Sequence, residues 1–331
     1  MNICKVFIFL LFGIENIILI KSINTTEHSK INITENSRIN IIEHPKINIT
    51  EHPKWQTIDH DTCGISNADR IIGGKNASLG MYPWIVRIGY TSSGNALKKK
   101  EPTYRCGGTL INKLYVVTAA HCVSLLPEGF EVTAVRAGEY NTETDPDCYQ
   151  NFCAESVQDF SPVSIIVHEN YNKPPFKNDI AIIKLNRNVT FNAFVMPICL
   201  PSGEILDRNY TGHTAEVAGW GIYDISDPKS STILQTIKLP IVEPDSCITA
   251  FRKHADIGIE QMCVGGVKGE DSCGGDSGGP LMKIESTIGP PKYYFIGIVS
   301  FGAKHCGKTT TPAVYSRISF YMNWILDHIE L

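Results

Sequence analysis

The sequence predicts an all-β protein, a sandwich or a pair of barrels, that ends in one helix. Three observations carry this. From Ile71 onward, short apolar runs rich in β-branched residues alternate with Gly, Pro, Asn and Asp turns. No run sustains a helical period until residues 320–331. The composition, 43% hydrophobic and 19% charged over 331 residues, supplies an ordinary globular core.

Taken in order, the candidate strands are YPWIVRIGY, GGTLINKLYVVTAAHC, VTAVRAG, VSIIVHENY, DIAIIKL, TAEVAGWG, LQTIKLPIV, YYFIGIVSFG and AVYSRI. Each is short and bounded by turn residues, as sandwiches and barrels require. The final stretch, FYMNWILDHIEL, places Tyr321, Trp324, Ile325 and Ile329 on one helical face. That face reads as core packing against the sheet, not as a binding site.

The first 70 residues have a different texture. Lys5 and the apolar run Val6–Ile14 form a signal-type leader, residues 1–22, with cleavage near Ser22. Glu15 and Asn16 interrupt the run, so it falls short of the ~20 apolar residues of a span. Residues 22–61 repeat in octads (SINTTEHS, KINITENS, RINIIEHP, KINITEHP, KWQTIDHD) and read as a disordered, polar tail. His28, His44, His52 and His60 recur in it, but without a scaffold they do not make a metal site. Residues 23–70 form a low-complexity propiece, and 71–331 the folded domain.

A formal net charge of −4 gives no polybasic surface for nucleic acid or anionic membrane. Of eleven cysteines, Cys4 lies in the leader, and the ten that follow imply five disulfides in an oxidising compartment. No CxxC or HExxH pattern argues for zinc. Sequons at Asn24, Asn32, Asn48, Asn76, Asn188 and Asn209 agree with secretion.

The stretch EDSCGGDSGGP, Glu270 to Pro280, is too rich in glycine and proline for a helix or a good strand. Its glycines let backbone N–H groups approach a reacting atom, and Ser277 is a candidate nucleophile on a sharp turn. A serine hydroxyl needs a histidine to take its proton and a buried carboxylate to orient that histidine. VTAAHC supplies His121, and NDIAIIKL supplies Asp179.

TAAHC, DIA and GDSGGP in this order resemble the chymotrypsin/trypsin family of serine proteases, over essentially residues 71–331. The resemblance implies two packed six-stranded antiparallel β-barrels with a C-terminal helix and the site in the cleft between them. It implies Ser277 as nucleophile, His121 as general acid/base, Asp179 as orienting carboxylate, and the Gly275 and Ser277 N–H groups as the oxyanion hole. Asp271 would floor the primary pocket and select Arg or Lys. Gly302 would form its wall, and Ala313, where the family usually has Gly, would narrow it. The family is made as a zymogen. Here the cut would fall at Arg70–Ile71, and the new Ile71 ammonium would pair with Asp276. By resemblance the disulfides are Cys106–Cys122, Cys247–Cys263, Cys273–Cys306 and Cys63–Cys199, the last tethering the propiece.

Cys148 and Cys153 remain, in an acidic loop similar to one in the clip-type cascade proteases of arthropod body fluids. In those relatives the loop can hold Ca²⁺, and Glu139, Asn141, Thr144 and Asp147 are the candidate ligands. A clip module needs six cysteines, however, and this propiece has only Cys63. The implied protein is a secreted endopeptidase zymogen that needs no cofactor for its chemistry and acts in an extracellular cascade or as a venom component. Its implied partners are protein substrates with Arg or Lys at the cleavage site, an upstream activating protease and serpin-type inhibitors. Two alternatives stay open: a catalytically weak homologue that acts as a regulatory binding protein, and a digestive protease.

Overall fold

A computed structural model describes residues 48–66, 76–92, 101–221, 229–269, 272, 274–286, 289–303 and 308–330. The leader, most of the octads, Arg70, Ile71, Asp271, Cys273 and Cys306 lie outside them. Among the described residues no helix is long and apolar enough to cross a membrane.

The first half of the domain holds β1 (Ile85–Ser92), β2 (Thr103–Leu110), β3 (Tyr115–Thr118), β4 (Phe130–Ala137), a small hairpin of β5 (Cys148–Tyr149) and β6 (Phe152–Cys153), then β7 (Gln158–Phe160), β8 (Pro162–Val167) and β9 (Ala181–Leu185). Seven of these make one antiparallel sheet in the order β7-β4-β1-β2-β3-β9-β8. The second half holds β10 (Thr214–Gly219), β11 (Gln235–Val242), β12 (Gln261–Gly265), β13 (Pro280–Glu285), β14 (Lys292–Phe301) and β15 (Pro312–Arg317). These six close into a barrel, β10-β11-β12-β15-β14-β13.

The fold is therefore trypsin-like, but the first unit is a seven-stranded half-barrel where six closed strands were expected. Its two edges, β7 and β8, are consecutive in the chain and separated only by Ser161. Pro162, which has no N–H to donate, begins β8, and the chain itself turns the corner there.

Ile180, Ile182 and Ile183 are fully buried, each contributing about 1.5–3 kcal/mol of hydrophobic stabilisation. Trp84 is also fully buried, and its indole N–H points at Met282 Sδ, 3.0 Å away on β13. That contact ties the half-barrel to the barrel. At the seam a Cβ on Gly107 would lie 3.2 Å from Gly279 Cα, so two backbones meet where side chains would hold them apart.

Helix α1 (Ala120–Val123) is a single turn after β3, and α2 is Pro244–Phe251. The last helix, α3 (Ile318–Asp327), buries Tyr321, Trp324 and Ile325, as their spacing predicts, and Ile329 is buried just beyond it. The sequence missed α2, although Pro244 at its first turn is a start signal.

The tail reading fails for residues 48–61, which belong to the same compact unit as the barrels. Asn48 and His52 cap two short 3₁₀ turns, Ile49–Glu51 and Pro53–Thr57, and Ile49, Trp55 and Ile58 are buried. His52 meets the Asp327 carboxylate at 3.1 Å, and Lys54 Nζ donates to the Asp327 carbonyl at 2.6 Å. The Cys63–Cys199 disulfide fixes the end of the segment. Three apolar side chains in an otherwise polar stretch are enough to order it once a surface exists to receive them.

Candidate active site

Two paired strands bring His121 and Asp179 together. In the β3–β9 ladder Thr118 stands opposite Ala181, so continuing the antiparallel register sets the start of α1 opposite residue 179. The His121 N–H donates to Asp179 Oδ1 at 2.9 Å, and the ring Nδ1 lies 2.8 Å from Oδ2. The Ser300 hydroxyl also donates to Oδ2, and the Ser316 hydroxyl to the Asp179 carbonyl at 2.8 Å. Side-chain exposure is 5% for Asp179 and 33% for His121, so the acid is sealed while the ring keeps one open edge.

Burial alone would raise the Asp179 pKa. The His121 ring, by hydrogen bond and charge, then Ser300 and the His121 N–H, overcome this and hold it below 3.8. For His121, burial would lower the pKa, and the Asp179 bond and charge instead lift it above 6.5. The pair is thus a sealed carboxylate holding an imidazole that is a stronger base than usual.

Ser277 sits on a turn that tolerates no other backbone. Gly278 has φ +76°, and a Cβ there would fall 2.2 Å from Thr118 Oγ1. Gly275 has φ +108°, and its Cβ would lie 2.9 Å from Gly221 Cα. The Gly107 N–H donates to the Ser277 carbonyl at 2.8 Å. Because Cys106–Cys122 bridges the neighbours of Gly107 and His121, the serine turn and the histidine are anchored to one point. Among the described residues no hydrogen bond joins Ser277 Oγ to the ring, and the Gly275 and Ser277 N–H groups make none. Those two donors stand available to a ligand oxygen.

Asp276 lies in a glycine cradle. The Gly221 N–H donates to its Oδ1 at 2.9 Å, and a Cβ on Gly219 or Gly221 would overlap the carboxylate. Sequence reasoning gave those two glycines no role. Gly302 faces Ala313: a Cβ on Gly302 would sit 3.1 Å from the alanine methyl, which is buried. Ser272, next to Asp271, is buried and bonded to Tyr315 Oη at 2.8 Å. Ser300 was the other residue missed. Its signal was its place two residues before Gly302 in SFG.

The four candidate calcium ligands do not fit a hard cation. Asp147 Oδ2 accepts the Tyr140 and Asn141 N–H groups, both at 3.0 Å, and Oδ1 accepts the Thr144 hydroxyl. Asn141 Oδ1 accepts the Glu143 N–H at 3.3 Å. Glu139 Oε2 faces Arg87 Nη1 at 3.4 Å and Arg136 Nη1 at 3.5 Å. Of the carboxylate and amide oxygens only Glu139 Oε1 accepts no hydrogen bond from the described residues, and the Thr144 hydroxyl is used as a donor, whereas Ca²⁺ takes six to eight oxygens. Burial raises the Glu139 pKa above 4.5, with the nearby Asp147 adding to it, and the two guanidinium charges only partly offset the rise.

Among the described residues four of the expected disulfides are formed, Cys63–Cys199, Cys106–Cys122, Cys148–Cys153 and Cys247–Cys263, and the expected Cys273–Cys306 lies outside those residues.

The sequence profile of the trypsin family matches residues 71–325. A CLIP domain-containing serine protease of Bombyx mori is 40% identical over 81% of this chain and 72% of its own length. The Spaetzle-processing enzyme of Drosophila melanogaster is 39% identical, over 82% and 69%. The crystal structure of the Drosophila Grass clip serine protease of the Toll pathway superposes with a TM-score of 0.70 at 32% identity, over 83% of this chain and 77% of that one.

Proposed function

From the premise that the chain belongs to the trypsin family, as a serine endopeptidase, we propose a secreted zymogen that cleaves proteins after Arg or Lys in an extracellular cascade. The observation that carries the catalytic assignment is the Asp179–His121 pair, anchored through Cys106–Cys122 to the glycine turn of Ser277. His121 takes the Ser277 proton as Oγ attacks the scissile carbonyl, and Asp179 stabilises the imidazolium that forms. The Gly275 and Ser277 N–H groups receive the oxyanion. His121 then protonates the leaving amine, and water releases the acyl group by the same route. No cofactor takes part.

Asp271 is the proposed partner of the substrate cation, with Gly302 and Ala313 as walls. The propiece, residues 23–70 after a leader of 1–22, is cut from the protease domain 71–331 at Arg70–Ile71. The freed Ile71 ammonium pairs with Asp276, whose cradle fixes the carboxylate beside the oxyanion donors. Cys63–Cys199 keeps the pieces together after the cut. Spaetzle-processing and phenoloxidase-activating relatives support a cascade role, and an upstream protease and serpin-type inhibitors are the proposed partners.

The test uses the secreted chain treated with a trypsin-type activator. N-terminal sequencing should find Ile71, and the product should run as one species without reductant and two with it. Arg and Lys substrates should be cleaved and Phe substrates spared. Ser277→Ala should lose several orders of magnitude in rate with its fold intact. An uncut chain that is fully active, or a preference for large apolar residues, overturns the zymogen or the specificity respectively.

A further inference from the structure

We propose that the acidic loop after β4 is closed by protein cations instead of calcium, and that Arg87 is a positioning residue tying this loop to the segment that holds Asp276. The second half rests on the catalytic reading given above; the first does not.

Three acidic side chains at the base of this loop, Glu139, Asp147 and Asp159 on β7, already have partners. Asp147 is consumed by two backbone N–H groups and the Thr144 hydroxyl. Asp159 makes a two-pronged pair with Arg136, Nε–Oδ1 and Nη2–Oδ2 both at 2.8 Å. Glu139, with a side chain only 2% exposed, faces the guanidinium groups of both Arg87 and Arg136. A divalent cation at Glu139 would meet two fixed positive charges and find a single free carboxylate oxygen. The arginines occupy the electrostatic place that a metal would fill.

Arg87 reaches further than charge balance needs. Its guanidinium carbon lies 4.5 Å from the Tyr104 ring centroid and 5.3 Å from that of Trp220. Trp220 is pinned from the loop side as well, since its indole N–H donates to the Tyr140 carbonyl at 3.1 Å. The next residue is Gly221, whose N–H donates to Asp276 Oδ1. A continuous path of contacts therefore runs from Glu139 through Arg87 and Trp220 to the carboxylate beside Ser277. A stacked, planar guanidinium suits this role where a lysine ammonium does not.

Thermal unfolding of the full-length chain in EDTA and in millimolar CaCl₂ tests the first half. The two melting temperatures should agree within about a degree, because a ligand with no site on the folded form gives no mass-action stabilisation. A rise of several degrees with CaCl₂ overturns the proposal. For the second half, Arg87→Gln should lower the melting temperature and reduce kcat several-fold, with KM for a small Arg substrate little changed. Arg87→Lys should recover melting temperature but not kcat, because it restores the charge without the stack. Wild-type kcat in Arg87→Lys refutes the positioning role. If Arg87→Gln is not secreted, Arg87→Lys carries the comparison alone. An activated wild-type chain with no amidolysis would sink the catalytic reading while leaving the calcium result standing.

Discussion

Asp179 and Glu139 are both nearly buried acids facing cationic or ionisable partners, and their pKa values move in opposite directions. Asp179 accepts short hydrogen bonds from the His121 N–H, the His121 ring and the Ser300 hydroxyl, and is held low. Glu139 has two full positive charges nearby, but at 3.4 and 3.5 Å, and one of its oxygens accepts nothing. It is raised. Direct hydrogen bonds to both oxygens outweigh burial, whereas charges held at the limit of hydrogen-bonding distance do not. The first arrangement suits a carboxylate that must stay ionised beside a base. The second suits one that anchors a loop.

The comparison breaks most visibly at Asp179→Asn. An amide cannot accept from both His121 donors and also balance an imidazolium. Amidolysis of the activated enzyme should fall on the order of 10⁴-fold, as is known for this change in triads of this family. The acidic limb of the kcat/KM profile should also move to lower pH. Asp179 lifts the His121 pKa above 6.5, and without it only the burial that lowers that pKa remains. An unchanged limb would show that Asp179 does not set the basicity of His121.

A smaller effect belongs to Ser300→Ala. Losing one hydrogen bond to a buried charge costs about 1.5–3 kcal/mol. Denaturant unfolding should show that loss, with kcat/KM reduced far less than in Asp179→Asn. A neutral result would mean that the two His121 donors suffice to hold the acid down.

Much of this was legible in the sequence, for definite reasons. The helix α3 announces itself by period and most strands by short apolar runs bounded by turns, although β12 and β13 were not among the runs read as strands; His121 follows one such run, Asp179 begins another, and Ser277 lies in its glycine-rich motif. What was illegible depends on contacts between residues far apart. Arg87 and Glu139 are 52 residues apart, and nothing in either neighbourhood says that they meet. The calcium expectation came from the loop's resemblance to clip-type relatives and from its oxygen-bearing residues, neither of which reveals that the protein's own donors already use most of those oxygens. The docked segment 48–66 was hidden because its octads carry few apolar residues. Burial of Trp55 and Ile58 depends on a surface that the segment itself does not encode.

The finest difference is the sign of the pH dependence. Asp179 has a folded pKa below 3.8, so the stability it supplies is complete above that value and is lost only as pH falls through the lowered one. Glu139 has a folded pKa above 4.5, so its contribution is fullest below 4.5 and fades as pH rises through the raised one. Melting temperatures of wild type, Asp179→Asn and Glu139→Gln should be measured across acidic to neutral pH. The gap between wild type and Glu139→Gln should shift against the wild type as pH rises above 4.5, while the gap for Asp179→Asn narrows as pH falls below 3.8 and also, because that variant loses the raised His121 pKa, as pH rises through the His121 range. Parallel behaviour of the two gaps would mean that the arginines hold Glu139 as firmly as His121 and Ser300 hold Asp179, and the contrast between the two acids would collapse.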